Sequence, residues 1–247
     1  MSSVEFGLLL LAGVAAGLVG AVAGLASVIS YPALLAAGLP PVTANVTNTV
    51  ALVFSGLGSA SASRPELRGQ GHRVRTLGLL GVLGGAVGAL LLLLTPPGAF
   101  RLVVPWLIGI ASLCVLIPRP QAHPESGSRD RSWVLVSVLL ISIYGGYFGA
   151  AAGVVMLALL LAATAETLPQ SNAIKNVVLL CANLIAAAGF VIFSDVRWLA
   201  VLPLAIGFFT GGWLGPRVVR RLPETPLRLA IALAGLLVAI RLASQAY

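Results

Sequence analysis

A long run without a single charged side chain limits what this chain can fold into more than any other feature. From Phe6 to Ser63 there is no Asp, Glu, Lys, Arg or His. Charged residues make up only 9% of the whole sequence, and its mean hydropathy is +1.04, whereas soluble domains carry about 25% charged residues. Such a stretch could not give a protein a water-soluble surface, so we expect it to lie in a lipid bilayer.

The surplus of positive charge fits the same interpretation. Fifteen Lys and Arg against seven Asp and Glu would suggest nucleic acid as the partner of a soluble protein. Here the arginines lie in short hydrophilic segments between apolar runs, as they do in multi-pass membrane proteins. We therefore expect a protein of the inner (plasma) membrane with lipid and no nucleic acid as its partner, and a homodimer stays open.

The two halves of the sequence resemble each other. The hydrophilic segment 119–132 separates an N-terminal transmembrane repeat, residues 1–118, from a C-terminal one, residues 133–247. With a shift of close to 128 residues, three features recur in the same order, as in transporters built from two repeats. Gly20 and Gly24 match Gly149 and Gly153, the segment after Pro41 matches the one after Pro169, and Gly84, Gly85 and Gly88 match Gly211, Gly212 and Gly215.

The arginines favour inverted repeats. If each half crossed the membrane an even number of times, the arginines of the loops would divide nine to five between the two sides, whereas an odd number divides them eleven to three. Cytoplasmic loops are enriched in Lys and Arg, so we expect odd crossings, with both termini outside. At about 20 residues per crossing, residues 6–63 could form three crossings, or one crossing and a broken or re-entrant helix pair. The predicted fold is all-α: a polytopic membrane protein of two inverted repeats with broken or re-entrant helices.

A polar stripe follows a proline in each half. Proline suits the first turn of a helix, so Pro41 and Pro169 predict helix starts. Polar residues after each proline share one helix face, and an inverted repeat would bring the two faces together around a substrate. The predicted substrate-binding residues are Asn45, Thr47, Asn48 and Ser55 in the first half and Ser171, Asn172, Lys175, Asn176 and Asn183 in the second.

Lys175 is the one basic residue well inside an apolar run. A lysine at the bilayer centre costs about 2.5 to 3.5 kcal/mol on insertion scales, and an anionic substrate would offset that cost. The positive ends of helices that start near Pro41 and Pro169 would also attract an anion. Two alternatives stay open: Lys175 reaches the membrane surface along its aliphatic stem, and the asparagines form hydrogen bonds between helices.

The repeated glycines point to two different roles. Gly20, Gly24, Gly149 and Gly153 lie in apolar segments too long for one helix, so we predict helix breaks there that expose backbone groups to a polar cavity. The glycines at 84–88 and 211–215 instead predict small-residue faces for close helix packing.

The sequence gives no indication of enzymatic activity. It contains no nucleophile-and-base motif, no metal-ligand cluster and no cofactor-binding motif, so we expect neither catalysis nor a bound metal or cofactor. Acidic residues lie in loops or at the ends of apolar runs, and Glu166 is the best candidate for a buried carboxylate that carries protons.

At its motifs the chain resembles the sulfite exporter TauE/SafE family of bacterial and archaeal membrane permeases over nearly its whole length. The resemblance rests on Gly20 to Gly24, Tyr31-Pro32, Gly38 to Pro41, Thr43 to Asn48, Tyr144 to Gly149, Ala173 to Asn176, Phe193 to Trp198 and Gly211 to Gly215. Ala21 to Ala23, Ala150 to Ala152 and Asp195 stand where the family usually has glycines.

This resemblance implies the export or uptake of small sulfur-containing or organic anions such as sulfite, sulfonates or sulfoacetate. Together with the two repeats it predicts a secondary transporter, an exporter, that works by alternating access. An anion channel or a non-transporting membrane scaffold is the alternative.

Overall fold

A computed structural model of the chain describes residues 2–116, 131–164 and 166–219, together with six single positions between 233 and 244. The described part is helical and contains no strand, which confirms the all-α prediction. Most of the predicted linker lies outside the described residues. The helices are α1 (Ser3–Ala23), α2 (Ala26–Ala36), α3 (Pro41–Ala62), α4 (Arg64–Leu67), α5 (Gly71–Leu94), α6 (Pro97–Leu116), α7 (Arg131–Tyr147), α8 (Ala152–Ala163), α9 (Leu168–Phe193) and α10 (Trp198–Val219).

Four of these helices are long and apolar enough to cross a membrane, namely α1, α5, α9 and α10 over Trp198–Arg217. Helix α3 has a similar length but is less apolar, because its first half carries the Thr and Asn residues of the predicted polar stripe. Both predicted helix starts are confirmed, since Pro41 and Pro169 lie in the first turns of α3 and α9. The described residues therefore form a multi-pass helical membrane protein.

Each half begins with a pair of helices joined at a sharp break. Helix α1 ends at Gly24, whose φ of 81° is left-handed, and α2 begins two residues later. Helix α2 then returns to the starting point of α1, because Ala37 to Pro40 line one groove together with Glu5 and Leu9. Residues 6–63 therefore form a re-entrant helical hairpin and one further helix, which is the second of the two arrangements that their length allows.

The helices run between two ends of the molecule. Thr47 Oγ1 accepts a hydrogen bond from the backbone N–H of Arg197 at 3.1 Å, so α3 and α10 begin at the same end, which we call end A. An ion pair between Arg73 and Glu166 places the starts of α5 and α9 at the other, end B. Because α9 leads directly into α10, it runs from end B to end A, opposite to α3. Inverted repeats require these opposite directions, and the inversion itself stays a prediction.

The helices of the two halves are interlocked. Helix α1 packs along α10, α10 packs along α3, and α5 packs along both α7 and α9. Each hairpin therefore lies against a helix of the other half, so the described helices of the two halves pack as one unit. The glycines of α5 and α10 form these contacts, which confirms the predicted small-residue faces: Gly85 lies against Ala182, Gly88 against Ile143, Gly211 against Val14 and Gly212 against Ser55.

Adding one methyl group to these faces should destabilise the protein. A Cβ on Gly85 would lie 2.3 Å from the carbonyl oxygen of Ala182, and one on Gly212 would lie 2.4 Å from that of Ser55. We expect Gly85→Ala and Gly212→Ala each to cost about 1 to 3 kcal/mol, seen as a lower melting temperature of the purified protein. Gly7→Ala is the matched control, because its Cβ would meet nothing within 4 Å. Equal melting temperatures for all three variants would contradict the packing.

Candidate functional site

The tips of the two helical hairpins touch each other in the middle of the protein. A Cβ on Gly24 would lie 2.3 Å from the carbonyl carbon of Gly153, and one on Gly153 would lie 2.4 Å from the Cα of Gly24. Only residues without a side chain can approach this closely. The two glycines that the repeat pairs in sequence therefore meet in space.

The breaks do not lie at matching positions of the two repeats. In the second half the chain turns at Gly149, with φ of 73°, and at Ala151, with φ of 60°. Gly149 matches Gly20, which lies inside α1, while Gly24 at the first break matches Gly153, which lies inside α8. Of the four predicted break residues, Gly24 and Gly149 thus mark breaks, and Gly20 and Gly153 lie in the adjoining helical turns.

A cavity of about 60 Å³ lies at the meeting point of the two tips. Seven of the residues predicted for a site line it: Ser55, Asn176, Asn183, Gly20, Gly24, Gly149 and Gly153. Ser27 of α2 and Ser59 of α3 also line it and were not predicted. Ser59 lies one helical turn after Ser55, so the spacing of serines along α3 is the signal that could have found it.

Two helix starts lie in the walls of the cavity. The first residues of α2, Ala26 and Ser27, and of α8, Ala152 and Gly153, line it. The start of a helix carries partial positive charge and unpaired N–H groups. Two such starts converge here beside the amide of Asn176, an arrangement that suits a small anion.

Lys175 lies directly behind one wall of this cavity. It is fully buried, which excludes the alternative that its side chain reaches the membrane surface. Its Nζ donates to the carbonyl oxygens of Gly20 and Ala21, each at 3.4 Å. These carbonyls belong to the last turn of α1, the negative end of that helix, and their residues line the cavity. The charge of Lys175 thus offsets a negative helix end that would otherwise repel an anion.

Four buried asparagines of α3 and α9 form hydrogen bonds to the helical hairpins. Asn172 Nδ2 donates to the oxygen of Ala21 at 2.9 Å, and Asn176 Nδ2 donates to the same oxygen at 3.3 Å. Asn45 Nδ2 donates to the oxygen of Tyr147, the last residue of α7, at 2.9 Å. Asn48 Nδ2 donates to Ser27 Oγ at 3.1 Å. The alternative of hydrogen bonding between helices is confirmed for these four, and Asn176 also faces the cavity.

Three further predicted residues do not line the cavity. Thr47 binds the backbone of Arg197 at end A. Ser171 is buried in the first turns of α9, and its Oγ has no hydrogen-bond partner among the described residues. Glu166 lies at end B in its ion pair with Arg73, ten residues before Asn176 of the cavity wall.

Broken helices that meet around a small cavity are the arrangement in which secondary transporters bind their substrates. The sequence profile described as "Sulfite exporter TauE/SafE" matches residues 9–242. The chain belongs to the sulfite exporter TauE/SafE family, a family of membrane transporters.

Curated relatives match the chain over most of their own length. A "Probable membrane transporter protein" of Haemophilus influenzae is 28% identical and aligns with 87% of this chain and 86% of its own. A protein of Sinorhizobium named "Probable membrane transporter protein ORF9" is 27% identical over 92% and 88%. The "Probable membrane transporter protein YfcA" of Escherichia coli K12 is 24% identical over 98% and 91%. No solved structure matches the chain.

Proposed function

We propose that this protein is a secondary transporter that exports small sulfur-containing or organic anions, such as sulfite, sulfonates or sulfoacetate. The observation that carries the proposal is the cavity between the hairpin tips, where two helix starts and the amide of Asn176 converge in front of Lys175. The family supports an anionic sulfur compound as the substrate. Arginine-rich end B lies in the cytoplasm, and both termini lie outside the inner membrane.

The size of the cavity supports a small substrate. At about 60 Å³ it is several times smaller than the pockets of about 300 to 1,000 Å³ that hold drug-sized ligands. The anion is bound where both halves supply the walls, and alternating access exposes the cavity to each side of the membrane in turn.

Binding is tested by a thermal-shift screen of the purified protein against sulfite, thiosulfate, short sulfonates and short carboxylates. A ligand at 100 times its Kd stabilises the folded state by about 2.7 kcal/mol, so at least one anion should raise the melting temperature. Asn176→Ala should weaken the binding of that anion about tenfold, the usual effect of losing a hydrogen bond to a charged ligand. Asn45→Ala, which removes a buried amide that does not line the cavity, should weaken the binding of the anion less. If no anion raises the melting temperature, the proposal fails.

Transport is tested with the same anion in liposomes. A transporter that exposes its site to one side at a time exchanges labelled for unlabelled anion, so an excess of trapped unlabelled anion should drive saturable uptake of the label. A channel would not show this counterflow, and its absence would favour the channel over the transporter.

A further inference from the structure

Ser59 of α3 is a buried serine whose hydroxyl is not bonded to the rest of the described protein. The residue is 1% exposed, and no described group forms a hydrogen bond with its Oγ. Serine and threonine inside a helix commonly donate to the carbonyl one turn earlier, as Thr49 of the same helix does to Asn45 at 3.0 Å. Ser30 of α2 donates to Ala26 in the same way. Because Ser59 does not form this local bond, its hydroxyl is available to another acceptor.

The cavity between the hairpin tips gives this hydroxyl access to a small molecule. Ser59 lines the cavity, and a hydroxyl that is buried without a hydrogen bond destabilises a protein unless a partner is supplied. Ser142 of α7 is also buried with an unpaired Oγ, but it is not among the residues that line this cavity. The two serines therefore share burial and an unpaired hydroxyl, and they differ in access to the cavity.

The cavity brings donors from α3 and α9 to one place. Ser55 lies one helical turn before Ser59 and lines the same cavity, and side chains at this spacing lie on one helix face about 5 to 6 Å apart. Asn176 and Asn183 of α9 line it as well. Because the cavity measures only about 60 Å³, a molecule that fills it contacts residues of both helices. No carboxylate is present among the described residues that line the cavity, so no lining side chain repels an anion by its charge.

We propose that Ser59, with Ser55 beside it, binds the anion directly and that both hydroxyls donate hydrogen bonds to its oxygen atoms. This proposal rests on the proposed transport function and names further residues of the same site. A hydroxyl has one hydrogen to donate, and its hydrogen bond to a charged oxygen is short and strong. When the anion binds, the Ser59 hydroxyl gains the acceptor that no described residue supplies. Anions whose head group carries several oxygen atoms, such as sulfite, sulfonates and carboxylates, can accept from both serines.

This role predicts opposite effects of one substitution on stability and on binding. Ser59→Ala removes a hydroxyl that has no described protein partner, so the melting temperature without anion should equal or exceed the parent value. The same variant should weaken the binding of the anion about tenfold, because a hydrogen bond to a charged group is lost. Ser55→Ala should weaken the binding in the same direction. The measurement is the melting temperature of the purified protein in separate titrations with sulfite, methanesulfonate and acetate, which gives the value without anion and the apparent Kd.

Two other buried serines provide matched controls for the same chemical change. Ser142→Ala also removes an unpaired hydroxyl, so its melting temperature should equal or exceed the parent value while the Kd stays within about twofold. Ser30→Ala removes a hydroxyl that donates to the carbonyl of Ala26 at 3.0 Å. Its melting temperature should therefore fall, again with a Kd within about twofold of the parent value.

Two results would overturn the role of Ser59. If Ser59→Ala lowers the melting temperature as Ser30→Ala does, the hydroxyl stabilises the fold and is not reserved for a ligand. If Ser59→Ala binds every anion with the parent affinity, the hydroxyl contacts only water. A parent protein that responds to an anion together with an unaffected Ser59→Ala counts against the role of Ser59 alone. A parent protein that responds to no anion overturns the proposed transport function and the role of Ser59 with it.

Discussion

Lys175→Gln should fold like the parent protein and bind the anion at least tenfold more weakly. Glutamine can still donate a hydrogen bond to the carbonyls of Gly20 and Ala21. The last turn of α1 therefore keeps a hydrogen-bond donor at this position. The positive charge behind the cavity is lost. A unit charge about 10 Å from an anion contributes about 1.7 kcal/mol at an effective dielectric constant near 20, which is more than a factor of ten in Kd. The measurement is the anion dependence of the melting temperature.

Two further variants separate charge from hydrogen bonding at this position. Lys175→Met removes both and should lower stability by about 0.5 to 1.5 kcal/mol, the net value of one hydrogen bond, because the carbonyl oxygens of Gly20 and Ala21 keep other donors. Arg217→Gln removes one positive charge from an exposed side chain that stacks on Trp213, and its Kd should stay within about twofold of the parent value because exposed charges are screened. If well-folded Lys175→Gln binds the anion with the parent affinity, Lys175 has a structural role and does not contribute to binding.

Among the described glycines, Gly24→Ala should have the largest effect on folding of any change to alanine. A non-glycine residue in a left-handed conformation costs about 1 to 2 kcal/mol, and Gly24 has φ of 81°. The new Cβ would also lie 2.3 Å from the backbone of Gly153, and such overlap adds about 1 to 3 kcal/mol or more. We expect little monodisperse protein after purification and a strongly lowered melting temperature.

Gly38→Ala is the matched control for the backbone strain. Gly38 has φ of 84°, almost the same as Gly24, but a Cβ there would meet nothing within 4 Å. The difference between the two variants therefore measures the contact between the hairpin tips. Position 153 lies in a helix, and its new Cβ would lie 2.4 Å from the Cα of Gly24. The loss of stability in Gly153→Ala should therefore report the steric overlap between the tips without the backbone strain. Equal losses in Gly24→Ala and Gly38→Ala would mean that the tips do not touch.

Features of the fold that depend on local chemistry could be predicted from the sequence. Prolines set the starts of α3 and α9, and an apolar run too long for one helix indicated the break at Gly24. The glycine faces of α5 and α10 were predictable because only small side chains let helices approach closely. In each case the residues that carry the sequence signal lie within a few residues of the structural feature that they predict.

The partners of the polar side chains could not be predicted in this way. Lys175 and Asn172 share one helix face with Asn176, as their spacing predicted, but their hydrogen-bond acceptors lie about 150 residues earlier in the chain, on α1. Thr47 holds the position that matches Lys175, yet it binds the start of α10. Periodicity gives the face of a helix, whereas the element opposite that face depends on the packing of the whole protein.

The interlocked packing also determines when this protein can assemble in the membrane. Helix α1 is made first, yet the helix that covers its small-residue face is α10, which the ribosome completes only after Val219. Until then the glycines at 13 and 17, which touch the backbone of α10 in the folded protein, lack this contact. Neither half can therefore complete its native contacts before the other has been inserted.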